Sequence, residues 1–271
     1  MFLSPSDLLR WCLRNTESGS DEFSYDICFP KYKDQASCEG YLWENYDRRL
    51  QELVKGISHG TGILEVGCGF GHDLVWAATQ GAIGVGIEVK SEFIEISQLT
   101  KTKIEAYISK KLDVTLIRKN LISLDDGYKF DLIYMKDVFH HLEPREKVVE
   151  KLVELLAPNG KLIIVEPNAL NPLIQWQMYR IRGFKTIVEK TDLTTGERYL
   201  FGNERLVTGG NILRLFQRFG LKGSITHMRL LPTQLITNNS LLKVARGLER
   251  LGMERVYPAC IHTIFVGHKV V

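Results

Sequence analysis

The sequence is poor in cysteine, and none of its cysteines form a C-x-x-C pair. Its 271 residues contain Cys12, Cys28, Cys38, Cys68 and Cys260. An odd number at this spacing argues against a disulfide framework and against a clustered zinc site. We therefore expect reduced thiols in a cytoplasmic protein, and the sequence predicts no metal site.

Long apolar runs and an excess of one charge are also missing. No run approaches the roughly 20 apolar residues that cross a bilayer, and residues 1–14 lack the basic start and unbroken apolar stretch of a signal peptide. Lys and Arg number 35 against 32 for Asp and Glu, which gives a net charge of +3. This near balance gives no reason to expect a nucleic-acid partner.

What is present is an alternation of short apolar runs with helical patterns, which is typical of βαβ units. It predicts an α/β fold with a mostly parallel seven-stranded sheet and helices on both faces. The predicted strands are Gly62–Val66, Ile83–Glu88, Val114–Arg118, Phe130–Met135, Lys161–Glu166, Leu221–Leu230 and Cys260–His268.

Five helices are predicted between these strands. One follows Asp73, one begins at Ser91, one has Pro144 at its first position and one begins at Thr208. The fifth places its apolar side chains between Leu241 and Leu251, and either Asn239 or Ser240 is expected to cap it.

The chain is expected to form one domain with four parts. Residues 1–61 form an N-terminal cap segment, and residues 62–166 form the core that carries the ligand-binding loop. Residues 167–203 show no clear period and predict an insertion that acts as a lid. Residues 204–271 complete the sheet, with a helical insertion near residues 238–252.

The strongest motif is a run of three glycines at alternate positions, Gly67, Gly69 and Gly71, directly after the strand that carries Glu65. Glycines permit a tight turn and let a ligand lie against the backbone. The helix that follows offers free N–H groups to an anionic group of that ligand. The dinucleotide fingerprint G-x-G-x-x-G requires glycine at position 72, where this chain has His72.

A second signal is Glu88, which ends the next strand 88 − 67 = 21 residues beyond the first glycine. A carboxylate at this place can accept hydrogen bonds from both ribose hydroxyls of an adenosine. It predicts an adenosine without choosing the cofactor. If the carboxylate faces an empty site, it should contribute little to the stability of the protein without ligand.

The pattern E-x-G-x-G-x-G, with its strand and helix, resembles the first motif of the class I, Rossmann-like S-adenosylmethionine-dependent methyltransferases. The resemblance continues through Phe130–Met135, Val138–Leu142 and Leu156–Leu162. It implies S-adenosylmethionine as the cofactor and Asn120 as the residue that contacts the adenine, although Asn120 also suits a turn that uses its own backbone. The implied cofactor-binding residues are Glu65, Gly67, Cys68, Gly69, Gly71, Glu88, Asn120, Leu121 and Lys136.

After the fourth strand the chain has Met135-Lys136-Asp137-Val138 in place of the Asp/Asn-Pro-Pro-aromatic motif of methyltransferases that act on amino groups of nucleic-acid bases or glutamine. Base methylation is therefore not expected. Methyl transfer needs mainly an acceptor held in line with the S–CH₃ bond, and a general base helps when the acceptor is a hydroxyl or an acidic carbon. The candidates for that base are His140, His141 and Asp137.

The acceptor is predicted to be a small or lipid-like molecule. Its contacts are expected around Tyr25–Tyr46, in the insertion 167–203 and near Leu241–Leu251. The insertion mixes aromatic and basic residues around Trp176, which also suits contact with an anionic membrane surface. The alternatives to a methyltransferase are an NAD-dependent oxidoreductase and a non-catalytic protein that binds S-adenosylmethionine and acts through a partner.

Overall fold

The computed structural model describes residues 2–16, 24–29, 32, 39–125, 127–191, 196, 198–232, 236 and 238–269. The helices are α1 (Pro5–Asn15), α2 (Tyr25–Cys28), α3 (Glu39–Gly56), α4 (His72–Thr79), α5 (Ser91–Ile108), α6 (Arg145–Leu155), α7 (Pro172–Arg182), α8 (Gly209–Arg218) and α9 (Asn239–Arg250). The strands are β1 (Gly62–Val66), β2 (Ile83–Glu88), β3 (Val114–Arg118), β4 (Phe130–Lys136), β5 (Leu156–Pro167), β6 (Ile187–Thr191), β7 (Arg198–Gly202), β8 (Leu221–Met228) and β9 (His262–Lys269).

Seven of these strands form one sheet in the order β3-β2-β1-β4-β5-β9-β8. The first five run parallel, and β9 lies antiparallel to both β5 and β8. The strand order reverses between β1 and β4, because β2 and β3 lie on one side of β1, and β4 and β5 lie on the other. The connections after β1 and β4 therefore run in opposite directions, and a crevice opens between them. The predicted mostly parallel seven-stranded sheet is confirmed.

Alternating side chains of the central strands enter two hydrophobic cores on opposite faces of the sheet. Ile63 and Tyr134 join the core that also holds α1, α3 and α4. Leu64 and Ile133 point the other way, into the core that holds α6 and α8. This alternation follows from the twofold side-chain period of a strand, and it confirms helices on both faces.

Two helix starts differ from the prediction by about one residue. Pro144 precedes α6 as its cap instead of forming its first residue, and its ψ of 131° is extended. The cap of α9 is Asn238, whose side chain accepts a hydrogen bond from the backbone N–H of Leu241. Asn239 and Ser240, the predicted caps, lie inside the helix, because a cap needs extended backbone and an acceptor that reaches the first turn.

The insertion 167–203 contains regular structure that the sequence did not predict. Asn171 caps α7 by accepting hydrogen bonds from two backbone N–H groups, and β6 pairs with β7 as an antiparallel hairpin. Met178 is the buried residue of α7, so this helix has no core stripe that a periodicity would reveal. Within this insertion, residues 192–195 and 197 lie outside the described residues, and the division into four parts stays a prediction.

Among the described residues, no helix combines the length and the apolarity needed to cross a membrane.

Candidate functional site

A cavity of about 630 Å³ opens at the carboxyl ends of β1, β2, β3 and β4. Open parallel sheets bind ligands in this place, because strand ends and helix starts meet there. We call one side of the cavity the strand-end half, which is formed by Gly67, Gly69, Glu88, Asn120 and Leu121. We call the other side the hairpin half, which is formed by His141, Lys190, Thr191, Tyr199, Leu200 and Phe201.

The three loop glycines all have positive φ, at 65°, 52° and 71° in chain order, which favours glycine at each position. Their surroundings differ. A Cβ at Gly67 would lie 2.6 Å from the side chain of Val138, and one at Gly71 would lie 3.0 Å from that of Ser97. At Gly69, no heavy atom of the described residues lies within 4 Å of that point. Gly69 is therefore the glycine whose missing side chain leaves room for a ligand.

Glu88 lies at the tip of β2 and holds the glycine loop in place. Its carboxylate accepts hydrogen bonds from the backbone N–H groups of Gly69 at 3.2 Å, Val89 at 2.8 Å and Lys90 at 3.2 Å. The residue is 9% exposed and lines the cavity. The expected small contribution to stability without ligand assumed a carboxylate that faces only the empty site, whereas this carboxylate is bonded within the protein.

Asn120 and Leu121 follow β3 in the wall of the cavity. The Oδ1 atom of Asn120 accepts a hydrogen bond from the N–H of Ile122 at 3.0 Å and caps a 3₁₀ turn over Leu121–Ser123. The turn role predicted as an alternative is thus present. It leaves the amide group of Asn120 for other contacts, so adenine recognition stays a prediction.

Three predicted cofactor residues, Glu65, Cys68 and Gly71, do not line the cavity. Glu65 is buried, and its Oε2 atom accepts a hydrogen bond from the N–H of Leu74 in the first turn of α4. Burial and the nearby charge of Asp73 raise the pKa of Glu65 well above its usual range. Burial likewise raises the pKa of Cys68, which does not suit a nucleophile.

Lys136 lies in the wall between the two halves and belongs to a charged network. Its ammonium group forms an ion pair with Asp73, and the Tyr46 hydroxyl donates a hydrogen bond to the other Asp73 oxygen at 2.5 Å. Lys136 also lies 4.7 Å from the centroid of the Tyr46 ring. Asp73 was not among the predicted site residues, and Tyr46 was expected only within the acceptor segment Tyr25–Tyr46; both act on the cavity through Lys136.

Aromatic side chains from the N-terminal segment cover the back of the glycine loop. Tyr25 and Phe29 lie with ring centroids 4.9 and 5.7 Å from that of Phe70. His72 is enclosed with them, at 5.3 Å from the Phe29 ring. Burial lowers the pKa of His72 to about 4, against the opposing effect of the Asp73 charge, so this imidazole is neutral near pH 7.

Asp137, a predicted base, is already paired. The Arg49 guanidinium donates a hydrogen bond to its carboxylate at 2.5 Å. Burial acts to raise the pKa of Asp137, but the charge and hydrogen bond of Arg49, together with the charges of Lys136 and His140, hold that pKa below its usual value. An ionised carboxylate bound to arginine is a weak proton acceptor.

His140 and His141 form a 3₁₀ turn after β4 with Phe139, and each uses Nδ1 in a hydrogen bond. The Nδ1 atom of His140 lies 2.5 Å from Glu166 Oε2, and that of His141 lies 2.8 Å from the carbonyl oxygen of Gly202. Burial acts to lower the pKa of His140. The charge and hydrogen bond of Glu166, with the charges of Glu204 and Asp137, act to raise it, and the net shift is upward. Burial lowers the pKa of His141, whose side chain is 28% exposed and lines the cavity.

The hairpin β6–β7 lies directly over this histidine turn. A Cβ at Gly202 would lie 2.1 Å from the carbonyl oxygen of His140, so only glycine allows this approach. The Phe201 ring stacks on His141 with centroids 4.6 Å apart, and Lys190 lies 3.4 Å from the Phe201 centroid. The hairpin therefore contributes to the cavity wall, and its action as a lid stays a prediction.

The other expected acceptor segments lie elsewhere. The structure describes all residues of α7, and none of them lines the cavity. The residue Trp176 is 59% exposed. Contact of α7 with a membrane stays a prediction, as does acceptor contact near Leu241–Leu251. Within Tyr25–Tyr46, residues 30, 31 and 33–38 lie outside the described residues.

The sheet order, the glycine loop and the strand-end carboxylate match the Rossmann-like fold of the class I methyltransferases. Residues 64–162 match the model of the methyltransferase domain family. This part of the chain is therefore a methyltransferase domain, as the resemblance implied. The predicted family is confirmed, and the NAD-dependent oxidoreductase is set aside.

Two curated proteins are similar to the chain. The methyltransferase GfsG of Streptomyces halstedii is 25% identical over 182 residues, which cover 65% of this chain and 63% of that protein. A ubiquinone biosynthesis O-methyltransferase of Coxiella burnetii is 24% identical over 137 residues, which cover 50% of this chain and 55% of that protein. The matches span less than two thirds of the length of these relatives.

Solved structures share the fold. A SAM dependent methyltransferase from Archaeoglobus fulgidus aligns with a TM-score of 0.58 at 14% identity, over 90% of this chain and 99% of that one. At this identity, the likeness concerns the arrangement of strands and helices.

Proposed function

We propose that the protein transfers the methyl group of S-adenosylmethionine to a hydroxyl oxygen of a small, partly apolar acceptor. The observation that carries the proposal is the single cavity that joins the strand-end half to the hairpin half. One half offers the contacts of an adenosine, and the other offers an aromatic lid. A relative named as an O-methyltransferase supports oxygen as the reacting atom.

The cofactor is placed along the strand-end half. The ribose would be held by Glu88, whose Oε1 atom already accepts hydrogen bonds from Val89 and Lys90, while its Oε2 atom is bonded to Gly69 alone and keeps a lone pair. The adenosine passes Gly69, where the space is open, and its base lies near Asn120 and Leu121. The methionine end then points toward Lys136 in the wall between the two halves.

The hairpin half positions the acceptor and excludes water. Leu200 and Phe201 supply apolar surface, and His141 places the face of its imidazole beneath the lid. Holding the hydroxyl in line with the S–CH₃ bond supplies most of the acceleration that methyl transfer needs. The acceptor oxygen forms the new O–CH₃ bond as the S–CH₃ bond breaks, and its proton passes to a neighbouring base and from there to solvent.

The predicted bases are His140, His141 and Asp137. Of these, His141 lines the cavity and bonds a backbone carbonyl oxygen, not a charged group, through Nδ1. Asp137 is held by Arg49, and His140 is held by Glu166. The activation of the hydroxyl is therefore assigned to the histidine turn and the lid above it.

The test uses S-adenosylmethionine with a deuterated methyl group and a matched pair of aromatic acceptors, one with a hydroxyl and one with an amino group at the same position. We expect mass spectrometry to detect the labelled methyl ether. The Glu88→Ala variant serves as the control, since it weakens the cofactor without touching the hairpin half. Labelled methylamine as the main product contradicts an oxygen acceptor. Cofactor binding without product from any hydroxyl compound of a metabolite extract favours the non-catalytic alternative.

A further inference from the structure

At the histidine turn, three side chains bring atoms that can bind a metal ion close to one another. We define His140, His141 and Glu204 as the His–Glu cluster; one ligand atom of each lies within 4.8 Å of those of the other two. His140 Nε2 lies 3.5 Å from Glu204 Oε2, and His141 Nε2 lies 3.9 Å from Glu204 Oε1. We propose that the His–Glu cluster binds a divalent first-row transition-metal cation at the edge of the cavity.

The spacing fits such a site. Imidazole and carboxylate ligands lie about 2.0–2.2 Å from a first-row cation, so neighbouring ligand atoms lie roughly 3.0–3.4 Å apart. The two observed separations exceed this range by a few tenths of an ångström. The three ligand atoms lie within 4.8 Å of one another, so binding would draw them closer through rotation of side chains such as that of Glu204, which is 26% exposed.

The hydrogen bonds at Nδ1 fix the tautomer that a ligand needs. A carbonyl oxygen only accepts, so the bond from His141 to Gly202 places the proton on Nδ1 and a lone pair on Nε2. Glu166 orients His140 in the same way, and its other oxygen accepts hydrogen bonds from the N–H groups of Val138 and Phe139 at 2.9 and 2.8 Å. A carboxylate or carbonyl behind each metal-binding histidine is the usual supporting arrangement.

The backbone at Glu204 is held in an unusual conformation. Its φ is +49°, a region that residues other than glycine seldom adopt, and such strain occurs mainly at functional sites. The Arg182 side chain donates a hydrogen bond to the Glu204 carbonyl oxygen at 3.1 Å, and Arg205 pairs with Glu143 at 2.5 Å. These neighbours anchor the backbone so that the Glu204 carboxylate faces the two histidines.

Charge also favours a cation. Glu204 and Glu166 both face His140, and Asp137 acts on it from a greater distance. A dication bound between the imidazoles and Glu204 would offset this concentration of carboxylates. Two imidazoles and one carboxylate are the ligands of many catalytic first-row metal sites, which leave further positions open.

The open positions would face the acceptor. His141 lines the hairpin half, so the cation would lie beside the place assigned to the acceptor hydroxyl. A bound cation lowers the pKa of a coordinated hydroxyl, and the proton leaves to solvent before the O–CH₃ bond forms. This role rests on the proposed function, whereas cation binding does not. In this proposal the histidines act as ligands, not as bases, which departs from the expectation of no metal site.

The test is a titration of chelator-treated protein, free of any histidine tag, with Co²⁺ while the visible absorption of the ion is recorded. We expect one Co²⁺ per chain. Glu204→Gln, which keeps the shape and removes the charge, should weaken binding by at least roughly 10-fold to 100-fold. Glu189→Gln, an exposed carboxylate on the same hairpin, is the matched control and should change the affinity less than about twofold.

Thermal unfolding and a titration with S-adenosylmethionine accompany each variant. Unchanged values for both in Glu204→Gln show that the loss of Co²⁺ is local and support the site. The proposal is overturned if wild-type protein takes up no stoichiometric Co²⁺, or if Glu204→Gln binds it as tightly. Full methyl transfer by metal-free protein removes the role in activation but leaves the methyltransferase intact. Absence of S-adenosylmethionine binding instead contradicts the proposed function, whatever the cation does.

Discussion

The two halves of the cavity are built from different kinds of contact. In the strand-end half, Glu88 accepts hydrogen bonds from the N–H groups of Gly69, Val89 and Lys90. These residues come from adjacent strands and the loops that follow them. In the hairpin half, His141 bonds to Gly202, which lies 61 residues further along the chain. The first half is a property of a motif, whereas the second exists only once an insertion has folded back over the sheet.

The largest expected effect comes from a substitution at Gly69 in the strand-end half. The experiment distinguishes a loss of space for the ligand from strain in the backbone. Gly69→Val should weaken S-adenosylmethionine by about 1,000-fold or more, ~4 kcal/mol, because its side chain enters the open space at the loop. Gly60→Val is the matched control, since Gly60 also has a positive φ of 85° and open surroundings but lies away from the cavity. Calorimetric titration measures both, with circular dichroism to confirm folding. Equal losses in the two variants would show that strain, not ligand space, is responsible.

Glu88→Ala should weaken S-adenosylmethionine by about 1.5–3 kcal/mol, on the order of 10-fold to 160-fold, because a charge-assisted hydrogen bond to the ribose is lost. Unlike an exposed carboxylate, Glu88 also bonds three loop N–H groups, so we expect the free energy of unfolding without ligand to fall by about 1–3 kcal/mol. Glu88→Asp should lose less of both. Calorimetry and denaturant unfolding provide the two values. Unaltered cofactor affinity in Glu88→Ala would move the ribose contact to another residue.

The hairpin half is tested by Gly202→Ala. A methyl group 2.1 Å from the His140 carbonyl oxygen forces the lid away from the histidine turn. We expect transfer to the acceptor to fall roughly 100-fold, since a displacement of about 1 Å has this effect on a positioned reactant. The affinity for S-adenosylmethionine should change less than about twofold, because the strand-end half is untouched. Gly210→Ala in α8, where the Cβ meets open space, is the control. A parallel loss of cofactor affinity would contradict the separation of the two halves.

The smallest effect concerns the buried back of the strand-end half. Because the pKa of His72 is lowered to about 4, an unfolded chain binds a proton there that the folded chain rejects between about pH 6.5 and pH 4. Stability should therefore fall with decreasing pH through this window, by roughly 1.2 kcal/mol per pH unit from this group. Urea unfolding at several pH values measures the slope, and His72→Phe, which packs in the same aromatic surroundings, should remove that contribution. An identical slope in the variant would show that His72 does not titrate as stated.

The sequence predicted the strand-end half because its signals are local. Gly67, Gly69 and Gly71 lie within five residues, and Glu88 is marked by the end of an apolar run. The bounds of β1, β2 and β3 agree with the prediction to the residue, since buried parallel strands are continuous apolar segments. The same reasoning found His140 and His141, although it did not show what they contact.

In the rest of the site, the side chains that bond to one another come from distant segments of the chain. Arg49 binds Asp137 across 88 residues, and Glu166 holds His140 across 26. Neither pair has a spacing that a sequence pattern encodes, because the sheet order brings the segments together. The hairpin also escaped prediction, since β6 and β7 are five residues each and contain no buried residue apart from Gly202, so they lack an apolar run that marks a core strand.

Hydrogen–deuterium exchange of the wild-type protein, with and without S-adenosylmethionine, tests most directly whether the cofactor lies in the strand-end half. We expect the cofactor to slow exchange at the amides of residues 67–71, 88–90 and 120–122, which surround the assigned adenosine. Residues 187–191 and 198–202 should change much less, because they face the acceptor. Slower exchange in the hairpin without any change at the strand ends would contradict this placement of the cofactor.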